Sequence, residues 1–458
     1  MRKHYIFLLT FLLTFLTFTF STVAQATPLE EAKLIIQNLY VGEVNGDIKK
    51  AETMDQLVNM LDPYSDYYTY EDFIALTNTI DQKNVGVGIV VEQIEEGILI
   101  VNVIENGSAF EGNVQAGEII THVDGVSIKG YSIDRATSLI KGREGTKVTL
   151  QIKKADGTFY TKALTRKAFS VPVVMSSLLY GNIGYISLSS FSETGAQEVK
   201  NAAIKLQSQG AKSFIIDLQN NTGGYVSTAQ QLISLFPNTP QAYIEKQKNN
   251  VLNVKSLSLN YKLPGTSRIL INRYSASASE MVAASVIDQQ AATVYGERSY
   301  GKGTVQGFYS LSDGSILKLT QAEFVGPNYT QINKVGVLPQ INTNSNPLYS
   351  AHLDAIKEQY YKYKQLKSFT NVPTTKTFTL TFNKTITSAI PESAIQLVTL
   401  GGSTVEIAVE KKGAQLVITP KHPLTKGKEY VLIVHPNQLT SNQKQLLNGY
   451  YSHISVEH

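Results

Sequence analysis

The spacing of apolar positions divides the chain into regions of different secondary structure. Residues 29–82 carry apolar side chains at helical intervals and predict a largely helical region. Residues 84–166 alternate short apolar runs with glycine-rich and Asp-Gly turns, which indicates a small β-rich domain with one helix after Ser132. From about 180 to 340, predicted strands and helices alternate, as is typical of a layered α/β core.

The pattern changes again after this core. Residues 348–369 carry a helical pattern rich in Lys and Tyr, and residues 371–375 have the composition of a linker. Residues 376–458 alternate apolar and polar positions in short runs, which predicts a β-sandwich. The expected fold class is therefore multidomain, with α/β and all-β parts. Within the core we predict strands at 183–188, 213–218, 268–272, 292–295 and 315–323, and helices at 194–208, 227–235 and 278–289.

The first residues have the pattern of an export signal. A basic pair precedes an apolar run over residues 5–20, and Ala24-Gln25-Ala26 offers a small-residue cleavage site. We expect a signal peptide at 1–26, because the run is shorter than the roughly 20 residues that span a bilayer. The alternative is an uncleaved N-terminal membrane anchor. In both cases we expect an exported protein that works outside the cell or in the cell envelope.

Composition narrows the chemistry that is available to the chain. Cysteine is absent, which excludes thiolate nucleophiles, thiolate metal sites and disulfides. None of the seven histidines lies between His122 and His352, so a Ser-His-Asp relay in the core would need a histidine from another domain, and zinc ligands are scarce. We expect no metal and no cofactor. The net charge is +4, or +2 without the leader and its two basic residues, which gives no electrostatic footprint for nucleic acid.

Residues 275–306 hold the strongest candidate chemistry. Ser275, Ser277 and Ser279 stand at the predicted start of a helix, where backbone N–H groups stabilise a developing oxyanion. A serine at this position is also a common helix N-cap. Spacing alone does not choose a nucleophile among the three.

Lys302 is the best candidate for the base that such a nucleophile needs. A free lysine titrates near ~10.4, whereas a general base works best near the operating pH. Burial lowers the pKa of a lysine, and the flanking Gly301 and Gly303 allow the backbone to fold the side chain inward. Gln306 is neutral and suits an orienting role. Residues four apart in a strand are about 13 Å apart, so its contact with Lys302 requires a turn at Gly303.

These residues together resemble the C-terminal processing peptidases, or tail-specific proteases, which are secreted serine proteases with a PDZ domain. The shared pattern is S-A-S-A-S-E followed, 25 residues after its middle serine, by the lysine of G-K-G-T-V-Q. The resemblance covers roughly residues 30–345 and implies a ClpP/crotonase-like fold for the core. It also implies that Ser277 is the nucleophile, Lys302 the base and Gln306 the orienting residue.

Two further segments extend the resemblance. Residues 61–73 are similar to the family's LDPYS segment, and residues 84–90 to its carboxylate-binding loop. A PDZ domain adds a peptide as an extra strand and holds the peptide's C-terminal carboxylate on loop N–H groups. The implied partners are therefore protein substrates with exposed apolar C-termini. The implied peptide-binding residues are Val85, Gly86, Val87 and Gly88.

The chain departs from the family at the turn that is expected to hold the oxyanion. The family usually reads D-L-R-x-N-P-G-G, whereas this chain has Gln219 for the arginine and Thr222 for the proline. The resemblance implies that the amide of Gly223 or Gly224 and the amide of Ala278 hold the oxyanion. We expect the two changes to affect efficiency and substrate preference and to spare the three catalytic positions.

The leading hypothesis is a serine endopeptidase that cleaves exported bacterial proteins near their C-termini. A second hypothesis is a catalytically silent, PDZ-containing binding scaffold of the cell envelope, which only the altered turn supports. A third, a crotonase-type acyl-CoA enzyme, is disfavoured because a PDZ domain and an export signal do not suit a CoA substrate.

The tail resembles the bacterial Ig-like repeats of surface-layer and cell-wall proteins. We expect it to be autonomous and to bind a cell-wall component, so that a chain ending near Lys367 still folds and cleaves peptides. For the helical region, the resemblance to the family implies a homodimer, and the alternative is that this region simply packs as a cap. Arg166 is interpreted as a surface or hinge residue. The predicted division is a signal peptide at 1–26, a helical region at 27–83, a PDZ domain at 84–166, a serine protease core at 167–348, a helix and linker at 349–375 and an Ig-like β-sandwich at 376–458.

Overall fold

The computed structural model describes residues 26–105, 107–131, 133–343, 346–441, 444–445 and 448–457. The predicted leader, apart from Ala26, and the predicted helix cap Ser132 lie outside these ranges. Within them, no helix combines the length and the apolar composition that a bilayer span requires.

The N-terminal region is helical, as predicted, but it also contains a short strand. Its first helix begins after Thr27, whose hydroxyl accepts a hydrogen bond from the Glu30 N–H, and Pro28 suits the first helical position. The elements are α1 (Pro28–Leu39), a 3-10 turn (Ile48–Lys50), α2 (Met54–Val58), β1 (Asp66–Tyr68) and α3 (Tyr70–Ile80).

The predicted PDZ region forms a β-rich domain with its own closed core. Its main sheet has the strand order β3 (Ile89–Ile94), β4 (Gly97–Val103), β5 (Ile119–Val123), β7 (Lys147–Lys153) and β8 (Phe159–Thr165), with β6 (Val126–Ser127) beside β5. The buried core includes Val87, Ile100, Ile120 and Ile152. The elements are β2 (Lys83–Gly86), β3 (Ile89–Ile94), β4 (Gly97–Val103), α4 (Ser108–Glu111), β5 (Ile119–Val123), β6 (Val126–Ser127), α5 (Ile133–Ile140), β7 (Lys147–Lys153) and β8 (Phe159–Thr165).

A two-stranded ribbon connects this domain to the protease core. Strand β9 (Lys167–Ser170) pairs antiparallel with β2, so the chain enters and leaves the PDZ domain side by side. Gly86 lies opposite Lys167 in the register of this ribbon.

The protease core contains the predicted α/β elements and a second sheet that was not predicted. The three predicted helices are present, each within one residue of the predicted start and end. Five strands are additional: β10 (Val174–Leu179), β13 (Gln241–Gln247), β14 (Val251–Lys255), β17 (Thr304–Ser310) and β19 (Ile341–Asn342). The elements are β10 (Val174–Leu179), β11 (Ile183–Leu188), α6 (Gly195–Ser208), β12 (Ser213–Asp217), α7 (Val226–Ser234), β13 (Gln241–Gln247), β14 (Val251–Lys255), β15 (Ser267–Ile271), α8 (Ala278–Asp288), β16 (Thr293–Gly296), β17 (Thr304–Ser310), β18 (Ile316–Val325) and β19 (Ile341–Asn342).

The two sheets of the core differ in topology. The first has the order β10-β11-β12-β15-β16-β19 and is parallel except for β10. The second is antiparallel, has the order β1-β18-β13-β14 and carries β17 on β18. Because β1 belongs to this sheet, the N-terminal region is part of the protease core. One apolar cluster with members from both sheets and from α6, α7 and α8 fills the space between them.

The tail forms the predicted β-sandwich, but the helix predicted over residues 348–369 ends at Gln359, and the main sheet of the tail begins at Lys364, before the predicted linker. Asn371 and Val372, predicted as linker, belong to a strand because backbone pairing to β30 orders them. The elements are α9 (Pro347–Gln359), β20 (Lys364–Gln365), β21 (Phe369–Val372), β22 (Phe378–Thr381), a 3-10 turn (Glu392–Ala394), β23 (Ile395–Thr399), β24 (Thr404–Val405), β25 (Ile407–Lys412), β26 (Gln415–Pro420), β27 (Glu429–Val434), β28 (Thr440–Ser441), β29 (Lys444–Gln445) and β30 (Tyr450–Val456).

The expected autonomy of the tail does not agree with the structure. Helix α9 lies across the parallel sheet, on β12, β15 and β16. Ile215 and Leu270 of that sheet share one buried apolar cluster with α9 and with Val398, Val431 and Ile433 of the Ig-like sheet. Parallel sheets are normally covered on both faces. Helices α6 to α8 cover one face here, and α9 and the tail cover the other.

Candidate active site

Ser277 occupies an unusual backbone position at the start of α8. It is the N-cap residue, with φ of 55° and ψ of −112°. Positive φ is uncommon for a residue with a side chain, and such strained positions cluster at functional sites when the surroundings hold them in place. The Glu280 carboxylate holds this one, because its Oε2 accepts the Ser277 N–H at 2.9 Å.

The three candidate serines have different environments. Ser275 and Ser279 are fully buried, and their hydroxyls donate to the carbonyls of Leu218 and Asn221, each at 2.8 Å. Ser277 instead lines a cavity of about 670 Å³. In the capping box of α8 the Glu280 N–H faces its oxygen, and its hydroxyl proton has no assigned acceptor within the described part of the chain. Of the three serines, only Ser277 therefore combines an available hydroxyl proton with a position on a cavity.

Lys302 lines the same cavity and is mostly buried. Its pKa is lowered to about 8, mainly by burial and also by the charge of Lys318, whereas the carboxylates of Asp62 and Glu280 oppose the shift. Its Nζ lies 4.7 Å from the centre of the Tyr64 ring. Among the described residues it forms no hydrogen bond or ion pair, so the amine is available to a substrate or to Ser277.

Glu280 links the two segments that carry Ser277 and Lys302. Its Oε2 accepts the Ser277 N–H at 2.9 Å and the Lys302 N–H at 2.8 Å. Its Oε1 accepts the Ser299 hydroxyl and the Gly301 N–H, each at 2.6 Å. The side chain is completely buried, and burial raises its pKa. This role of Glu280 was not predicted, although a serine three residues before a glutamate at a helix start is a capping-box signal.

Gln306 also lines the cavity, on strand β17. Its Nε2 donates to the hydroxyls of Thr304 at 2.9 Å and Thr320 at 3.2 Å. The pairing of β17 with β18 shifts between Val305 and Gln306, and such irregularities change the direction of side chains beside active sites. In the described residues the Gln306 amide oxygen accepts no hydrogen bond. Ser277, Lys302 and Gln306 thus share one cavity without direct hydrogen bonds between them.

The predicted oxyanion residues lie around Ser277, and the structure distinguishes between the two glycines. The Gly223 N–H already donates to the Asn221 side chain at 2.9 Å. The N–H groups of Gly224 and Ala278 have no acceptor in the described part of the chain. Gly223 has φ of 109°, and a Cβ there would lie 2.9 Å from the Ser277 Cβ, so only glycine fits. Gly224 and Ala278 are therefore the amides that remain available.

The N-terminal region contributes directly to this site. Asp62 accepts a hydrogen bond from the Thr320 hydroxyl at 3.0 Å, and Ser65 accepts the Thr320 N–H at 3.0 Å. These contacts place Tyr64 beneath Lys302. The L-D-P-Y-S motif was recognised in the sequence without this role, because only the fold brings it to the cavity.

The predicted peptide-binding residues line a second cavity, of about 250 Å³, in the PDZ domain. Strand β3 and Thr137, Ile140 and Lys141 at the end of α5 form its sides. Phe169 and Val171, which follow the domain, also line it. All four predicted residues contribute to this groove: Val85, Gly86, Val87 and Gly88.

Arg166 is not a surface residue, which corrects the prediction. It is buried, and its guanidinium donates to the carbonyls of Leu139 and Ile140 at the end of α5, at 2.9 and 2.8 Å, and to Lys147 O at 2.9 Å. A cation at a helix C-terminus satisfies its unpaired carbonyls. Arg166 therefore fixes the end of the helix that walls the groove.

Three known domain families match the chain. Residues 182–343 match peptidase family S41, residues 99–154 match the PDZ domain, and residues 367–455 match a bacterial Ig-like domain. The matches agree with the three parts described above and confirm the predicted multidomain fold class.

Individual relatives give the same assignment. The chain is 34% identical over 314 residues to the carboxy-terminal processing protease CtpA of Bacillus subtilis, covering 68% of this chain and 66% of the relative. It is 29% identical over 320 residues to a probable CtpA-like serine protease of Staphylococcus haemolyticus, covering 68% and 63%. The chain thus spans about two thirds of the length of these curated relatives. A photosystem II D1 C-terminal processing protease structure is similar at 23% identity and a TM-score of 0.44, covering 72% of this chain and 96% of that one.

The fold and the matched domains define a serine-type peptidase with appended PDZ and Ig-like domains. The chain belongs to the C-terminal processing peptidase family, within peptidase family S41. The predicted family and enzyme class are therefore confirmed.

Proposed function

We propose that the protein is an active serine endopeptidase in which Ser277 is the nucleophile, Lys302 the general base and Gln306 the residue that orients the base. One observation carries the proposal. Ser277 alone among the three serines combines an available hydroxyl proton with a position on a cavity, and the same cavity holds a lysine whose pKa is lowered to about 8, mainly by burial. Such a lysine is partly neutral at physiological pH and can accept a proton.

The geometry supports an acyl-transfer mechanism. The neutral Lys302 amine accepts the Ser277 hydroxyl proton as Oγ adds to the substrate carbonyl. The ammonium then returns that proton to the leaving amine, and the peptide C–N bond breaks. A water molecule, deprotonated by Lys302 in turn, hydrolyses the acyl-enzyme. The available amide oxygen of Gln306 would accept a hydrogen bond from the lysine and fix its direction.

The oxyanion in this mechanism would be held by the N–H groups of Gly224 and Ala278. Both are without acceptors in the described chain, and donors of this kind stabilise charge that develops in the transition state. The Gly223 N–H is the weaker candidate because Asn221 already uses it. The departures at Gln219 and Thr222 leave this arrangement in place.

The substrates we propose are exported proteins with exposed, apolar C-termini, which the protein would cut near that end. The PDZ groove supports this proposal, because Val87, Ile89 and Ile140 provide an apolar lining next to a Gly-rich segment. A peptide would add as a strand beside β3 and leave its carboxylate on the loop amides.

The test is to react the full chain with a fluorophosphonate and to measure cleavage of an unstructured protein. We expect wild type to be labelled and to cleave, and Ser277→Ala to do neither while melting close to wild type. The matched controls Ser275→Ala and Ser279→Ala lose buried hydrogen bonds but should keep labelling at Ser277. A wild-type protein that neither labels nor cleaves would favour the silent scaffold instead.

The Lys302→Arg variant tests whether Lys302 acts as a general base or only provides a positive charge. Arginine keeps the positive charge but does not deprotonate in this pH range. We therefore expect Lys302→Arg to be as inactive as Lys302→Ala in the same assay. Near-normal turnover of the arginine variant would refute the assignment of Lys302 as the base.

We also propose that the protein works outside the cell or in the cell envelope. The export-signal pattern and the bacterial Ig-like match support this location. Fractionation of cells that express the full chain tests it, with recovery in the cytoplasm as the contrary result. The homodimer and the cell-wall partner stay predictions.

A further inference from the structure

A second lysine, Lys318, lines the catalytic cavity. It lies on β18, half-buried, and burial lowers its pKa. The carboxylates of Asp66 and Asp62 favour its charged form through space, but neither forms an ion pair with it in the described structure. The proposed mechanism gives this cation no role.

The strand register places Lys318 on the same face as Gln306. Gln306 lies opposite Thr320, and Phe308 lies opposite Lys318, in the pairing of β17 with β18. Residues two apart on a strand share a face, and diagonal neighbours of this kind are about 7–8 Å apart. The Lys318 side chain therefore lies on the Gln306 face of the sheet and lines the cavity that Gln306 and Lys302 also line.

One short segment carries an aromatic ring beside each lysine. The Lys302 Nζ lies 4.7 Å from the Tyr64 ring centre, and the Lys318 Nζ lies 5.9 Å from that of Tyr68. Tyr68 belongs to β1, in which Asp66 pairs directly with Lys318. Residues 64–68 thus contact both amines, and both lysines line the same cavity.

The other charges around Lys302 would favour its ammonium form. Asp62 and Glu280 both raise its pKa, and only burial and Lys318 lower it. A base that works near neutral pH needs this balance to favour the amine. The titratable groups that surround Lys302 or line its cavity, among the described residues, are Glu280 on α8, Asp62 and Tyr64 on the segment before β1, Tyr225 before α7, Tyr243 and Glu245 on β13, Lys318 on β18 and Tyr300 on its own loop.

We propose that Lys318 acts through Lys302 and holds it in its neutral, proton-accepting form. Two like charges in one cavity disfavour each other. Lys318 keeps the proton because Asp66 lies directly opposite it, and Lys302 is left as the free amine. Lys318 is therefore a positioning residue of the proposed reaction and does not itself contact the substrate. This inference rests on the proposed role of Lys302.

The pH dependence of Ser277 phosphonylation by a fluorophosphonate tests this inference on the full chain. In wild type, we expect the rate constant to rise with pH through a midpoint near the Lys302 pKa of about 8. In Lys318→Met, one positive charge is lost, so the midpoint should rise by about one pH unit. The rate at pH 7 should then fall about tenfold and largely recover at high pH.

Three further variants make the result specific. Lys318→Arg restores the charge and should restore the wild-type midpoint. Lys255→Met removes an exposed lysine from β14 of the same sheet, outside the cavity, and should leave the midpoint unchanged. Lys318→Gln repeats the test if Lys318→Met melts well below wild type.

The possible failures are distinguishable. A wild-type pH dependence that persists in Lys302→Ala would refute the proposed base itself. If the pH dependence of labelling requires Lys302 but its midpoint is unchanged in Lys318→Met, only the proposed role of Lys318 is refuted. A loss of rate that is equal at all pH values would show that Lys318 supports the structure and does not tune Lys302.

Discussion

The PDZ and Ig-like domains are both appended to the protease core, but they are attached in different ways. The PDZ domain buries its own apolar core and joins the protease through the β2–β9 ribbon. The Ig-like domain shares an apolar cluster with the parallel sheet of the protease. The PDZ domain is therefore a separately packed unit, and the Ig-like domain forms part of the cover on one face of the parallel sheet.

The sheet topology explains this difference. A parallel sheet exposes apolar side chains on both faces and needs a cover for each. In this chain α9 alone is too narrow to cover the second face, and Val398, Val431 and Ile433 of the tail complete it. A backbone hydrogen bond also joins the core to the Ig-like domain, because the Tyr180 N–H donates to Gly402 O at 2.9 Å.

Matched core substitutions should give the largest difference between the two domains. Ile433→Ala removes a fully buried side chain from the shared cluster, and Ile152→Ala removes one from the PDZ core. We expect each to cost about 2–5 kcal/mol of local stability. Only Ile433→Ala should lower the temperature at which Ser277 loses its fluorophosphonate reactivity. Equal effects of the two variants on that temperature would contradict the difference in attachment.

Acid should weaken the Ig-like junction. His352 is fully buried, its Nε2 contacts Tyr180 O at 2.9 Å, and its Nδ1 accepts the Gly401 N–H at 2.8 Å. Burial lowers its pKa to about 4 from the ordinary 6.5. The unfolded chain therefore binds a proton at higher pH than the folded chain. The stabilisation is complete above pH 6.5 and is lost as the pH falls toward 4, by about 3 kcal/mol.

Urea unfolding between pH 7.5 and 4.5 checks this expectation. His352→Asn keeps an acceptor near the Nδ1 position but cannot titrate, so its unfolding free energy should fall less steeply with acid than that of wild type. The matched control His122→Asn changes the same residue type in the PDZ domain and should keep the wild-type slope of the core transition. Identical slopes for His352→Asn and wild type would show that protonation of His352 does not cause the loss of stability in acid.

The PDZ groove should show the smallest of these effects, and one confined to binding. Amidating the C-terminus of an apolar peptide removes the charge that the loop amides would hold. We expect weaker binding to the full chain by about 1.5–3 kcal/mol, measured by calorimetry with Ser277→Ala to prevent cleavage. Stability should not change. Equal affinity for the acid and the amide would mean that the groove binds something other than chain ends.

Local features of the fold and site were predictable from the sequence. Helices α6, α7 and α8 have clear periodicity and strong boundaries, and the spacing of Ser277, Lys302 and Gln306 is read from one segment and one motif. Residues that are close in sequence and carry a strong pattern thus reveal themselves without tertiary information.

Long-range features were not predictable in the same way. Strand β14 has an exposed, mixed pattern that gives no clear period, and its pairing with β13 defines it. The docking of Tyr64 beneath Lys302 joins residues from opposite ends of the core. The shared cluster behind the sheet was missed because each of its strands is also a normal sandwich strand. In each case a distant partner determines the role of the residue.

The most direct test of this difference in attachment is to remove each domain in turn and to measure the reactivity of Ser277. Replacing residues 87–166 with Asn-Gly would close the β2–β9 ribbon as a hairpin, because Gly86 and Lys167 already lie opposite each other. A chain that ends at Lys367 keeps α9 but lacks the part of the cover on the second face of the sheet that the Ig-like domain provides. We predict that the first variant folds and that a fluorophosphonate still labels its Ser277. The second variant should lose both the fold and the labelling. Labelling that survives the loss of the Ig-like domain but not that of the PDZ domain would contradict this prediction.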